Sequence, residues 1–139
     1  MAPVIFTIPT VAELPINTSF KKISMNNYQF IDLDYLHKMA SGDVDFMKEI
    51  LTDYLEKEPN NFNSLTAAYH AMNFADMKYY AHKLRSSVQI VGAKALLAKL
   101  EKIELLASQN DQSLVLEFDD IAALNAQVIL ELKQELDIL

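Results

Sequence analysis

The sequence lacks cysteine and has very few residues that break helices. Its 139 residues include no cysteine, two glycines and four prolines. Without cysteine there are no disulfides and no thiolate chemistry, so a metal site would have to use histidine and carboxylate ligands. Three of the prolines, Pro3, Pro9 and Pro15, precede residue 16. The remaining chain is therefore nearly free of breakers, which favours long helices.

Basic residues and long apolar runs are also scarce. Twelve Lys and Arg stand against nineteen Asp and Glu, and the net charge of −7 argues against a nucleic-acid-binding surface. No apolar run approaches the roughly 18 residues of a membrane span. Val4-Ile5-Phe6 is too short, and lacks the basic flank, to be a signal peptide. We therefore expect a cytoplasmic protein with neither a nucleic acid nor a membrane as its partner.

The chain divides into an N-terminal arm and one helical domain. Residues 1–30 show no helical period, and Val4 to Ile8 reads as an extended, β-prone stretch between prolines. We interpret residues 1–30 as an arm or linker, either packed on the domain, mobile, or joined to something upstream. Residues 31–139 form the domain, and the 51% hydrophobic content of the chain suffices for one core.

Apolar residues at three-and-four spacing predict the helices of that domain. The predicted helices cover residues 31–40, 43–72, 73–92, 94–107 and 114–136. The second contains Pro59, where we expect a bend in one long helix rather than two helices. Asn73 can cap the third helix. The predicted fold is an all-α, antiparallel four-helix bundle of up-down-up-down order, with a short extra N-terminal helix and an extended N-terminal arm.

One histidine lies apart from the apolar stripe of its helix. The stripe consists of Met77, Ala81, Leu84, Val88 and Val91, at the spacing of a core-facing helix. His82 falls off it, among polar and basic residues. Those neighbours are Lys78, Arg85, Ser86 and Gln89. An exposed histidine is most often an ordinary surface residue, so its neighbourhood has to decide whether it is functional.

The neighbourhood of His82 suits phosphoryl chemistry. A neutral imidazole is a good nucleophile toward phosphorus when one ring nitrogen is free and the other donates to an acceptor. The helix after Gly92 runs back alongside and offers Glu101 and Glu104. Glu104 is our choice for that acceptor; the alternative is that it bonds only solvent or a nearby lysine. Basic residues near His82 can offset phosphoryl charge and attract an acidic partner, or can form a plain solvated face. They are Lys78, Lys83 and Arg85.

Other catalytic machinery is missing from the sequence. There is no glycine-rich phosphate loop, no paired-aspartate metal cluster and no serine nucleophile with a base. A metal site on facing helices would need a Glu-x-x-His pair or similar, and none is present. We therefore expect no cofactor of its own and no self-contained enzyme: a partner would have to bring the rest of the chemistry.

The stretch around His82 resembles a known family. Ala81-His82-x-Leu84-Arg85-Ser86-Ser87, followed by Gly92-Ala93, Leu96 and Ile103-Glu104, is similar to the signature of histidine-containing phosphotransfer (HPt) domains. The resemblance extends over about residues 31–136 and includes the long helix with a proline part way. It combines residue identities, spacing and bundle layout, which makes it specific.

The resemblance implies a role for each site residue. His82 would take a phosphoryl group from a receiver-domain aspartate and pass it to another receiver, with Glu104 orienting the imidazole. Lys83 and Arg85 would supply supporting charge, and Gly92 would form the turn between helices. The partner-binding residues would be Lys78, Tyr79, Ser86 and Gln89. The partners implied are response-regulator receiver domains, which bring the Mg²⁺, and a hybrid sensor histidine kinase; we expect the chain to be a monomer.

The chain departs clearly from the family pattern at one position. Ser86 stands where the family usually has glycine, and it adds a hydroxymethyl group beside the imidazole. Arg85 replaces lysine, which keeps the charge but not the geometry of the group. Ser86 keeps an alternative open: a binding module of the same fold that docks receiver domains with weak or lost phosphotransfer.

Overall fold

The structure, a computed structural model, describes residues 28–139. The predicted arm over residues 1–30 lies outside the described residues, except for its last three, as does the extended stretch expected at residues 4–8. Within residues 28–139 every regular element is helical. The elements are α1 (Asp34–Ala40), α2 (Val44–His70), α3 (Phe74–Ile90), α4 (Lys94–Ser108), a 3₁₀ helix (Gln112–Phe118) and α5 (Ile121–Ile138).

The four long helices form a closed bundle, and α1 lies against α2. Helix α3 packs most extensively on α4 and then on α2, while α5 closes the ring by packing on α2 and α4. The predicted stripe of α3 faces the core, with Met77, Leu84 and Val88 all fully buried. The prediction of an all-α four-helix bundle with a short leading helix is confirmed.

Helix α2 is continuous through its proline. It runs for 27 residues with Pro59 inside it, as the single long helix predicted there. Its first turn is capped by Asp43, whose side chain accepts a hydrogen bond from the Phe46 amide at 3.1 Å. Helix α3 is capped in the same way, because Asn73 Oδ1 accepts from the Asp76 amide at 3.0 Å. The Asp76 carboxylate in turn accepts from the Asn73 side-chain amide, which closes the cap.

The predicted start of the last helix at residue 114 is wrong. Residues 112–118 form a 3₁₀ helix, and α5 begins only at Ile121. Long-range contacts hold the 3₁₀ segment. The Phe118 ring stacks on Tyr69 of α2 with centroids 4.1 Å apart, and Lys99 of α4 pairs with Glu117 at 3.5 Å. Leu114 is fully buried in this 3₁₀ helix. Its place in the core was therefore predicted correctly, whereas the α-helix predicted for it was wrong.

The first described residues are attached to α5 by buried carboxylates. Glu131 Oε1 accepts hydrogen bonds from the amides of Phe30 and Ile31, and Oε2 accepts one from Gln29. One turn later, Glu135 accepts from the Tyr28 hydroxyl at 2.9 Å. None of the described helices is both long and apolar enough to span a membrane.

Candidate functional site

His82 lies on the outer face of α3 with 72% of its side chain exposed. Its Nδ1 is 2.8 Å from Glu104 Oε2 on α4. An ionised carboxylate only accepts hydrogen bonds, so Nδ1 carries the hydrogen and donates it. In the neutral ring the lone pair is then on Nε2, the nitrogen left for a reaction partner.

The two partners of Glu104 favour its ionised form. Arg85 Nη1 donates to Glu104 Oε1 at 2.8 Å, on the oxygen that His82 does not use. Burial alone would raise the pKa of Glu104, but the hydrogen bonds from Arg85 and His82 outweigh it and bring that pKa below its ordinary value. The carboxylate is 18% exposed, so it is shielded from water while remaining charged.

The turn between α3 and α4 brings these residues together. His82 lies ten residues before Gly92 and Glu104 lies twelve after it, so an antiparallel pair with a short connection sets them side by side. Gly92 has a φ of +65°, and a Cβ there would be 1.9 Å from the carbonyl oxygen of Asp32. Only glycine suits both the backbone conformation and the close approach. Gly92, predicted as the structural turn, therefore fixes the short connection that sets His82 beside Glu104.

The two basic residues predicted to support His82 differ in their surroundings. Arg85 is directed at α4, where its Nη2 also lies 3.4 Å from Glu101 Oε2. Lys83 is exposed, with its Nζ 5.9 Å from the ring centroid of Tyr79, and has no ion-pair partner within residues 28–139. Of the two, Lys83 is therefore the one whose charge is available to an approaching molecule.

The residues predicted to bind a partner all lie on the exposed side of α3. Tyr79 is 58% exposed, three residues before His82. Ser86, one turn after it, is exposed and borders an open groove between α2 and α3. That groove is also lined by Lys57, Asn61 and Lys83. Lys78 and Gln89 are exposed at either end of the same side. One helix face thus carries the histidine and all four predicted contact residues.

Metal ligands are not grouped near this face. Within residues 28–139, no three His, Asp or Glu side chains are placed to hold one metal ion. His37 is on α1 and His70 ends α2, apart from the His82–Glu104 pair.

Comparison with known proteins connects this geometry to a fold. No family model matches the sequence, and no curated protein is significantly similar to it in sequence. Among solved structures, the chain is similar to histidine-containing phosphotransfer protein B (HptB) from Pseudomonas aeruginosa PAO1, with a TM-score of 0.72 and 20% identity. The match covers 79% of this chain and 96% of that one. The chain has the histidine-containing phosphotransfer fold. The resemblance inferred from the His82 motif is thereby confirmed at the level of the fold.

Sequence reasoning missed one polar residue beneath the histidine helix of this phosphotransfer fold. Glu58 is only 7% exposed, and it accepts hydrogen bonds from Ser87 Oγ and Asn61 Nδ2, both at 3.0 Å. It ties α2 to α3 one turn beyond His82. Its position in the helical repeat could have revealed it: Glu58 lies four residues after Tyr54 and four before Phe62, and therefore on the core-facing side of α2. A carboxylate at a core position has to find hydrogen-bond donors, and Ser87 is the one on the neighbouring helix.

Proposed function

We propose that the protein is a phosphocarrier of a two-component phosphorelay, with His82 as its phosphoacceptor. The observation that carries the proposal is the pairing of His82 Nδ1 with Glu104 in a phosphotransfer fold, which leaves Nε2 as the reactive atom on an exposed ring. The donor and the recipient are aspartates of two receiver domains, one of them in a hybrid sensor histidine kinase. The protein itself carries the group and does not catalyse a reaction alone.

The transfer step follows from the protonation of the ring. The Nε2 lone pair attacks the phosphorus of an aspartyl phosphate, an N–P bond forms, and the P–O bond to the aspartate breaks to release its carboxylate. The ring then carries a positive charge while Nδ1 keeps its hydrogen. Glu104 stabilises that charge through the same hydrogen bond, and no proton has to leave. Transfer to the second receiver is the reverse reaction on a different aspartate.

The partner completes the site in this proposal. The receiver domain supplies the Mg²⁺ and the acidic pocket that binds it. Lys83 and Lys78 on α3 give the exposed face a positive charge within a protein of net charge −7, which favours approach by an acidic surface. Tyr79, Ser86 and Gln89 supply the contact area around the imidazole.

The test measures phosphoryl transfer from a labelled receiver. The protein is mixed with a phosphorylated receiver domain and Mg²⁺, and acid-labile, base-stable label is sought on the wild type, on His82→Gln and on His70→Gln. His70 is exposed at the end of α2 and serves as the matched control. We expect label on the wild type and on the His70 variant only. Equal label on His82→Gln, or none on the wild type with every cognate receiver, would contradict the proposal.

A second candidate rests on Ser86. It is exposed one turn after His82, where the family usually has glycine, so its hydroxymethyl group adds bulk beside the imidazole. The protein would then dock receiver domains without passing on the phosphoryl group. Ser86→Gly separates the two functions: if the wild type binds receivers but takes no label and Ser86→Gly takes it, the protein is a docking module. If both are labelled at similar rates, it is a carrier.

A further inference from the structure

Arg85 is the only arginine of the chain, and it shares one carboxylate with the candidate phosphoacceptor. Glu104 Oε2 accepts from His82 and Oε1 accepts from Arg85, each at 2.8 Å. The second terminal nitrogen of Arg85 lies 3.4 Å from Glu101 Oε2. Its Nε is buried and has no hydrogen-bond partner among the described residues. The guanidinium is therefore held on the α4 side of the histidine.

The Glu104 carboxylate has two opposing effects on the reactivity of His82, and its contact with Arg85 bears on both. A carboxylate next to an imidazole orients the ring, but it also favours the doubly protonated imidazolium. Imidazolium has a hydrogen on both nitrogens and no lone pair on Nε2, so it cannot attack phosphorus. A cation on the other oxygen of the same carboxylate weakens its pull on the ring proton without breaking the hydrogen bond that orients the ring.

We propose that Arg85 is a positioning residue that keeps His82 neutral and nucleophilic by sharing Glu104 with it, rather than by binding the transferred phosphoryl group. This inference rests on the proposed phosphocarrier function. Arg85 contacts the carboxylate that holds Nδ1, whereas the phosphoryl group would be attached to Nε2, the other ring nitrogen. With two terminal nitrogens committed to α4 carboxylates, Arg85 acts on the ring through Glu104.

Other charges near His82 have to be separated from this effect. Helix α4 contributes Glu104 and Glu101, and α3 itself contributes Lys78, Lys83 and Arg85. Helix α2 contributes the charged residues that line the groove beside Lys83 and Ser86, namely Asp53, Glu56, Lys57 and Glu58. Within residues 28–139, Glu104 is the charged residue that is hydrogen-bonded to the His82 ring. The contribution of Arg85 can therefore be isolated by removing Glu104 in the same background.

The first measurement does not depend on phosphotransfer. NMR of the His82 ring as a function of pH is recorded for the wild type, Arg85→Gln, Arg85→Lys and Lys133→Gln. Lys133 is exposed on α5, and it controls for the loss of one positive charge. We expect Arg85→Gln to raise the proton affinity of the ring about three- to tenfold. Arg85→Lys restores part of the difference, and Lys133→Gln changes it less than twofold.

The second measurement asks whether the effect passes through Glu104. In a Glu104→Gln background, Arg85→Gln should change the proton affinity of His82 by less than half as much as it does with Glu104 present. An undiminished effect in that background would mean that Arg85 acts on the ring directly, and the proposal would be overturned.

The third measurement is the pH profile of phosphoryl acceptance. For Arg85→Gln we expect a rate that is three- to tenfold below that of the wild type at low pH, where the ring is mostly protonated in both proteins, and that returns to the wild-type rate at high pH, where the ring is neutral in both. A loss that is equal at every pH, with no change in ring protonation, would mean that Arg85 binds the phosphoryl group, which overturns the inference. If the ring protonation changes as expected but no variant accepts a phosphoryl group, the proposed function fails and the assignment of Arg85 to ring protonation stands.

Discussion

Glu131 offers the sharpest test of how the described N-terminal residues are held on the bundle. Its carboxylate is 8% exposed and accepts three amide hydrogen bonds, from Gln29 at 3.0 Å, Phe30 at 2.8 Å and Ile31 at 3.2 Å. The Ile31 amide is buried, whereas the other two are partly buried and can turn to water. In Glu131→Ala, all three donors lose their acceptor.

The expected loss follows from these contacts. A buried donor left without a partner costs about 1–3 kcal/mol, and a typical hydrogen bond contributes about 0.5–1.5 kcal/mol net. One buried and two partly buried amides therefore predict that Glu131→Ala lowers the free energy of unfolding by about 2–6 kcal/mol. Glu131→Gln can keep Oε1 as the acceptor for Phe30 and Ile31 but turns an NH₂ group toward Gln29. We expect that variant to lose about 1–2 kcal/mol.

Urea unfolding followed by circular dichroism measures both variants. With a denaturant slope of about 2 kcal/mol per molar, a loss of about 4 kcal/mol, in the middle of that range, lowers the midpoint by about 2 M. Glu49→Ala, at an exposed position of α2, is the matched control and should stay within about 0.5 kcal/mol of the wild type. If Glu131→Ala is no less stable than that control, the three hydrogen bonds contribute nothing to folding and the reasoning is refuted.

Two further predictions concern the turn and the acid stability of the site. Gly92→Ala should lower the free energy of unfolding by at least about 3 kcal/mol, because both the φ of +65° and the Asp32 carbonyl oxygen, 1.9 Å from a Cβ at that position, oppose a side chain. Gly42→Ala, at a φ of +85° but with open space around it, should lower it by about 1 kcal/mol. Similar losses for the two variants in urea unfolding would contradict the role of the close contact. The pKa of Glu104 is below its ordinary value of 4.5 in the folded protein, so the hydrogen bonds it accepts from Arg85 and His82 stabilise the fold above that pH, and their contribution is lost as the pH falls through the lowered pKa. Glu104→Gln should therefore unfold with a weaker pH dependence between about pH 5 and pH 2, and an unchanged acid profile would show that the pairs add nothing to stability.

The face of α3 was predictable because it is a local property. The spacing of Met77, Leu84 and Val88 alone places them on one side of a helix, and all three are fully buried. The same spacing puts His82 outside, and its side chain is 72% exposed. The cap at Asn73 is equally local, since donor and acceptor are three residues apart.

Features that depend on distant partners were not predictable in this way. The three-and-four spacing continues from Leu114 into α5, yet residues 112–118 form a 3₁₀ helix, in which Phe118 stacks on Tyr69 and Glu117 pairs with Lys99. The buried carboxylates show the same limit. Glu131 finds its amide donors about 100 residues earlier in the chain, and no local pattern signals such a contact.

The local pattern was enough to single out His82 as the candidate phosphoacceptor, and to predict the exposed side of its helix and the bundle around it, because a helical period depends on residues that are close together in the sequence. It also limited the hydrogen-bond acceptor of the His82 ring to the carboxylates of α4. The packing register of α4 on α3 then decided which oxygen of Glu104 faces His82 and that Arg85 occupies the other. Those contacts join residues 22 and 19 positions apart on different helices. Their distances depend on how the cores of both helices interlock, and that is a property of the folded bundle.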